Sequence, residues 1–150
     1  MLALRVNGIT TEIGPGGLFT SFCSSIAVHL ENSRWGSVFP VLQNELYQGE
    51  MPAEHAQALV DELKRVRSGL ATVPPEGLIW DIDDRSAKPP WDPTYGPHIK
   101  SLADFYVNTG RRNLIDVLIE CAGFSLEYKR DIDVISYEFS PAEVPLPAGR

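Results

Sequence analysis

Hydrophobic and polar positions along the chain follow two periods. Leu2, Leu4 and Val6 alternate with Ala3, Arg5 and Asn7, the period-two pattern of a half-buried strand, which predicts one strand from Met1 to Ile9. Gly14-Pro15-Gly16-Gly17 then reads as a flexible loop. From Leu18 to Glu31 the period changes. Leu18, Phe19, Phe22, Cys23, Ile26, Ala27 and Leu30 recur at spacings of three and four, forming one apolar helical stripe. Asn32 to Ser37 reads as a turn carrying Arg34, Trp35 and Gly36. Pro40 then opens a short helix through Leu42, Glu45 and Leu46, which Gly49 ends. The strongest helical pattern runs from Ala53 to Leu70, with Ala56, Leu59, Val60, Leu63, Val66 and Leu70 inward. Glu54 lies at its start and Lys64, Arg65 and Arg67 near its end, the order a helix dipole favours.

Pro74-Pro75-Glu76-Gly77 breaks this pattern. Leu78 to Asp83 predicts a strand, with Leu78, Trp80 and Ile82 on one face and Ile79, Asp81 and Asp83 on the other. Lys88 to Pro97 contains Pro89, Pro90, Pro93 and Pro97, which mark a stiff surface loop carrying Trp91 and Tyr95. Ser101 to Val107 fits either a helical turn or a short strand. Asn113 to Phe124 predicts a helix, and Val134 to Phe139 a closing strand. The expectation is a single α+β domain over residues 1–140, with a small sheet of about three or more strands packed with three to four helices. A loose proline-rich tail is expected over 141–150.

Composition narrows the function classes. The chain has 150 residues, 43% of them hydrophobic, so one domain buries about two-thirds of its unfolded surface without help from disulfides or metal. Thirteen Lys and Arg against 20 Asp and Glu give a formal net charge of −7. That balance disfavours direct nucleic-acid binding, which needs clustered cations, and favours fast encounter with a basic partner. No apolar run is long enough to cross a membrane, and the N-terminus lacks a signal-peptide pattern. Cys23 and Cys121 each fall in an apolar helical pattern and read as buried free thiols. These features together predict a cytoplasmic location.

Candidate chemistry is sparse. Gly14 and Gly16 begin a G-x-G pattern, but Phe19 occupies the third glycine position, so a turn is the better reading. His29, His55 and His98 lack metal-ligand spacing, and Cys23 and His29 fall on different faces of one helix, so no metal or cofactor is expected. Leu78-Ile79-Trp80-Asp81-Ile82-Asp83-Asp84 resembles the nucleophile segment of the haloacid-dehalogenase-like phosphatases. On a strand, carboxylates at i and i+2 share a side, about 7 Å apart, and a magnesium-dependent phosphohydrolase using Asp81 and Asp83 is the alternative enzyme reading. Arg85 stands where that family has Thr or Val, and solvated acids at a strand end are the better account. Trp35 and Trp91, in turn-forming segments, either await a partner or pin their loops to the core, the latter being preferred.

Several segments in a fixed order carry a second resemblance. They are Gly8-Ile9-Thr10 with Glu12-Ile13-Gly14, His29-Leu30-Glu31, Trp35-Gly36-Ser37 with Phe39-Pro40, and Asn44-Glu45-Leu46-Tyr47-Gln48-Gly49. Ile79-Trp80-Asp81-Ile82-Asp83-Asp84 and Pro89-Pro90-Trp91 complete the set. In this order they resemble the bacterial polymorphic-toxin immunity proteins, specifically the Immunity protein 70 family, from about Leu4 to Phe139. Asp92 departs from the glycine expected after Pro-Pro-Trp. The resemblance implies a non-enzymatic, stoichiometric inhibitor of a cognate secreted toxin, for which a basic nuclease is a fitting target. A non-catalytic adaptor domain is the remaining alternative. The binding face is expected around Asp81, Asp83 and Asp84, with Trp91 and Tyr95 as aromatic anchors and Glu45 and Tyr47 as neighbours.

Overall fold

The computed structural model describes residues 1–90 and 96–137. Its first unit is a hairpin. β1 (Leu2–Val6) pairs antiparallel with β2 (Ile9–Gly14), Val6 opposite Ile9. The single strand expected over Met1 to Ile9 is therefore split. Asn7 and Gly8 adopt φ values of 50° and 81°, the left-handed pair that a two-residue hairpin turn requires. The Asn-Gly dipeptide supplies it at little steric cost, and the twist it imposes matches that of the flanking strands.

The expected glycine loop is also shorter than its sequence implies. Gly14 ends β2, Pro15 caps α1 (Gly16–Leu30), and Gly16 and Gly17 already belong to the helix. Glycine is needed at 17 for space, since a methyl group there would lie 2.9 Å from the Trp80 ring. Beyond the expected turn at 32–37, a π-helical turn spans Leu42–Leu46, with Tyr47 N–H donating to Leu42 O. β3 is the two-residue strand Glu50–Met51, and a 3-10 turn at Ala53–His55 leads into α2 (Ala56–Leu70). Ser101 resolves the ambiguity at 101–107 in favour of a helix. Its hydroxyl accepts from Ala103 N–H and caps the short α3 (Leu102–Phe105). Asn113 likewise caps α4 (Leu114–Tyr128), which runs past the expected end at Phe124 to a left-handed Lys129. β4 (Ile132–Ser136) begins two residues before the expected Val134.

All strand pairs are antiparallel, in the order β2-β1-β4-β3. α4 lies against β1, β2 and β4, while α2 packs on both α4 and α1. One apolar core joins these layers, including Leu4, Ile13, Phe22, Ile26, Leu59, Leu63, Leu118 and Ile132. The fold is thus α+β, as the element order predicts. Cys23 and Cys121 are buried free thiols in this core, and burial raises the pKa of both, that of Cys23 well above the ordinary value. The tail at 141–150 lies outside the described residues, and no described helix is long and apolar enough to cross a membrane.

The main departure concerns Leu78–Asp83, which is not a strand. A 3-10 turn at Pro75–Gly77 leads into irregular backbone followed by turns. The backbone groups of this segment are taken by serines of α1 instead of by a neighbouring strand. Ser21 and Ser25 hydroxyls donate to Ile79 O at 2.7 and 3.2 Å, Ile79 N–H donates to Ser25 Oγ, and Ile82 N–H donates to Ser24 Oγ. All three serines are fully buried. Tyr106 OH lies 2.9 Å from Ser21 Oγ and 2.8 Å from Ser25 Oγ, completing a buried hydroxyl cluster. Alternation of apolar residues marks burial here, but the partner is a helix.

Candidate functional site

The serine-bound segment delivers Asp81 and Asp83 to the surface beside α1. Asp81 is half-buried, and its Oδ1 accepts the N–H of Asp83 at 2.9 Å, closing a tight turn. Asp83 is exposed. None of the ion pairs among the described residues involves either carboxylate.

The facing wall comes from the loop after α1, and two buried glutamates shape it. Glu31 is 2% exposed, and its carboxylate accepts from Gly36, Val38 and Phe39 N–H and from the Gln43 amide at 2.9–3.1 Å. Glu62, 4% exposed, reaches across from α2 to accept from Val41 and Leu42 N–H. Burial raises the Glu62 pKa, while those two backbone donors oppose the rise. Two carboxylates therefore replace the regular hydrogen-bond ladder that this irregular backbone lacks.

The clamped loop presents two aromatic rings. Trp35 donates its indole N–H to Gln43 O at 3.0 Å and meets Tyr47 edge-to-face, with centroids 5.1 Å apart. Tyr47 OH lies 2.9 Å from Thr20 Oγ1 on α1, and its ring also packs on Phe19. Trp35 thus pins its loop, as preferred, and also faces the site. Thr20, Ser24, Ser33, Trp35, Tyr47, Gln48 and the 81–83 segment line a groove of about 490 Å³. No lysine or arginine is among the described residues that line it.

Of the residues singled out from sequence, Asp81, Asp83 and Tyr47 meet in this groove. Asp84 does not line it. Its carboxylate accepts from the Ser86 hydroxyl at 2.6 Å and from Ser86 N–H, which hold its pKa below the ordinary value. Glu45 points to the start of α2 instead, where its Oε1 lies 2.7 Å from His55 Nδ1. Trp91 and Tyr95 lie outside the described residues. The groove adds Trp35, Thr20, Ser24 and Gln48, which were not expected there. The available signal was the run of serines at 21, 24 and 25 inside an otherwise apolar helix.

The turn also changes the enzyme reading. The likeness to phosphatases required carboxylates projecting from a strand end, and Asp81 and Asp83 instead sit on a turn that one of them holds closed. Among the described residues, no three His, Cys, Asp or Glu side chains are grouped to hold a metal ion.

His55 supplies a pH test of the Glu45 contact. The hydrogen bond that His55 donates to the Glu45 carboxylate, reinforced by the charge of that carboxylate, raises the His55 pKa above 6.5. The folded chain therefore binds this proton more tightly than the unfolded chain. The resulting stability is full below 6.5 and is lost as pH rises through the raised value. The melting-temperature advantage of wild type over His55→Gln should shrink between about pH 6 and about pH 8. A constant difference across that window contradicts the pairing.

Comparison with known proteins places this architecture. The family model described as Immunity protein 70 matches residues 4–134. The chain belongs to the Immunity protein 70 family. That span runs from within β1 into β4, so it includes both walls of the groove. No curated protein and no solved structure matches the chain. As a member of the Immunity protein 70 family, the chain is classed with immunity proteins.

Proposed function

We propose that this protein neutralises a cognate secreted bacterial toxin by direct, stoichiometric binding inside the producing cell, covering the toxin's active site. Membership of the Immunity protein 70 family is the observation that carries this reading. The groove supports it: two aromatic rings and two carboxylates converge, with no lysine or arginine among the described lining residues. A net charge of −7 speeds capture of a basic target, and a nuclease with a phosphate-binding cleft is such a target. Asp81, Asp83 and Tyr47 form the proposed contact face, joined by Trp35. Asp84, Glu45, Trp91 and Tyr95 remain proposed toxin contacts on the family resemblance.

The test is co-expression with the C-terminal toxin domain encoded beside the gene. Restored growth and a one-to-one complex on size-exclusion chromatography are expected. Growth arrest despite abundant folded protein would overturn the reading.

A further inference from the structure

The groove has the chemistry of a receptor for one particular side chain. Building on the immunity reading, we propose that it receives a single arginine of the toxin, held between the Trp35 and Tyr47 rings and the Asp81 and Asp83 carboxylates. Among the described residues, the Asp81 carboxylate accepts one hydrogen bond, from Asp83 N–H, and the Asp83 carboxylate accepts none. Both acids therefore keep acceptor capacity directed to solvent and to whatever enters. With no cation among the described lining residues, a positive group entering the groove displaces no ion pair found among them.

The aromatic wall selects the form of that cation. A guanidinium is planar, stacks on aromatic faces and gives up its hydration more readily than an ammonium. Its fork of donors can address two carboxylates at once, with Ser33 and Gln48 also within the lining. A lysine ammonium is a compact point charge, strongly hydrated, and gains less from the rings. Both rings are already fixed, Trp35 through Gln43 O and Tyr47 through Thr20, so little side-chain freedom is lost on binding. Arginine is also abundant in the phosphate-binding clefts of nucleases, which joins the groove chemistry to the charge of the whole chain.

The test uses N-acetyl-arginine amide as the probe, followed by NMR through the Trp35 side-chain signals. A saturable shift is expected with the arginine amide, a several-fold weaker one with the lysine amide, and none with the neutral citrulline amide. The shift should vanish in Asp81→Asn combined with Asp83→Asn. Asparagine at 81 retains the oxygen that closes the turn, so this variant should keep the wild-type melting temperature. The same double change should weaken binding of the co-expressed toxin domain about 10- to 100-fold. Replacement of one toxin arginine by alanine should then have no further effect on the double variant. Equal responses to arginine and citrulline amides, or no saturable response, overturn the receptor. Growth protection by wild type in that case leaves the immunity reading standing. An arginine response without growth protection overturns the assignment of that arginine to a toxin.

Discussion

Replacing Glu31 with alanine is expected to destabilise the protein by about 3–5 kcal/mol. The change is severe because four donors converge on one carboxylate: the N–H groups of Gly36, Val38 and Phe39 and the amide of Gln43. Alanine leaves the three N–H groups without an acceptor and the Gln43 amide with only Cys23 O, and Phe39 and Gln43 are buried where water cannot readily replace the carboxylate. Glu31→Gln should fall between the two, because its oxygen can still serve Val38 and Phe39 while its amide confronts other donors. Urea unfolding should show a lower midpoint with an unchanged slope if the effect lies in the native state. A loss below about 1 kcal/mol would mean that Glu31 does not organise this loop. Trp35 and Tyr47 should also lose their fixed geometry, so toxin binding should decline in the fraction that remains folded.

The second large effect concerns the opposite wall. Ser21→Ala combined with Ser25→Ala should cost about 2–4 kcal/mol and weaken toxin binding, although neither residue lines the groove. Both hydroxyls donate to Ile79 O, and Ser25 also receives Ile79 N–H. Removing both leaves the Ile79 backbone groups unpaired and takes two neighbours from the buried Tyr106 hydroxyl. Ser21→Ala alone should cost less than half the double, since Ser25 still holds Ile79 O, whereas Ser25→Ala also strands the Ile79 N–H and should carry most of the loss. Thermal melts and titration of the toxin domain would separate the two consequences. Normal affinity in the double variant would show that the 79–83 segment is held by other contacts.

The long amphipathic helices were legible because each buries a stripe, and burial writes a period of three to four into the sequence. α2 shows this from Ala56 to Leu70, close to the expected limits of 53 and 70. The hairpin was announced by Asn7-Gly8, but reading Leu2 to Ile9 as one apolar run hid it. Leu78–Asp83 was misassigned for a deeper reason. Alternation reports which side chains are inward and is silent on what satisfies the backbone between them. Here the partners are hydroxyls more than fifty positions earlier in the chain. The groove was half legible for the same reason. Asp81, Asp83 and Tyr47 stand out by chemistry, while the buried Glu31 and Glu62 that shape their surroundings look like ordinary acids on helices. Nothing in local spacing separates an acid that caps distant backbone from one that faces water.

The π-helical turn at Leu42–Leu46 makes the aromatic wall sensitive to chain length. Its hydrogen-bonded ring from Leu42 O to Tyr47 N–H encloses one residue more than an ordinary helical turn. Loss of a single residue that left the wide turn in place would rotate everything beyond it by about 100° relative to what precedes it. Tyr47 would then swing away from Trp35 while the chemical composition of the loop stayed almost the same. Insertions and deletions at this point are thus a route to a different aromatic wall without repacking the core.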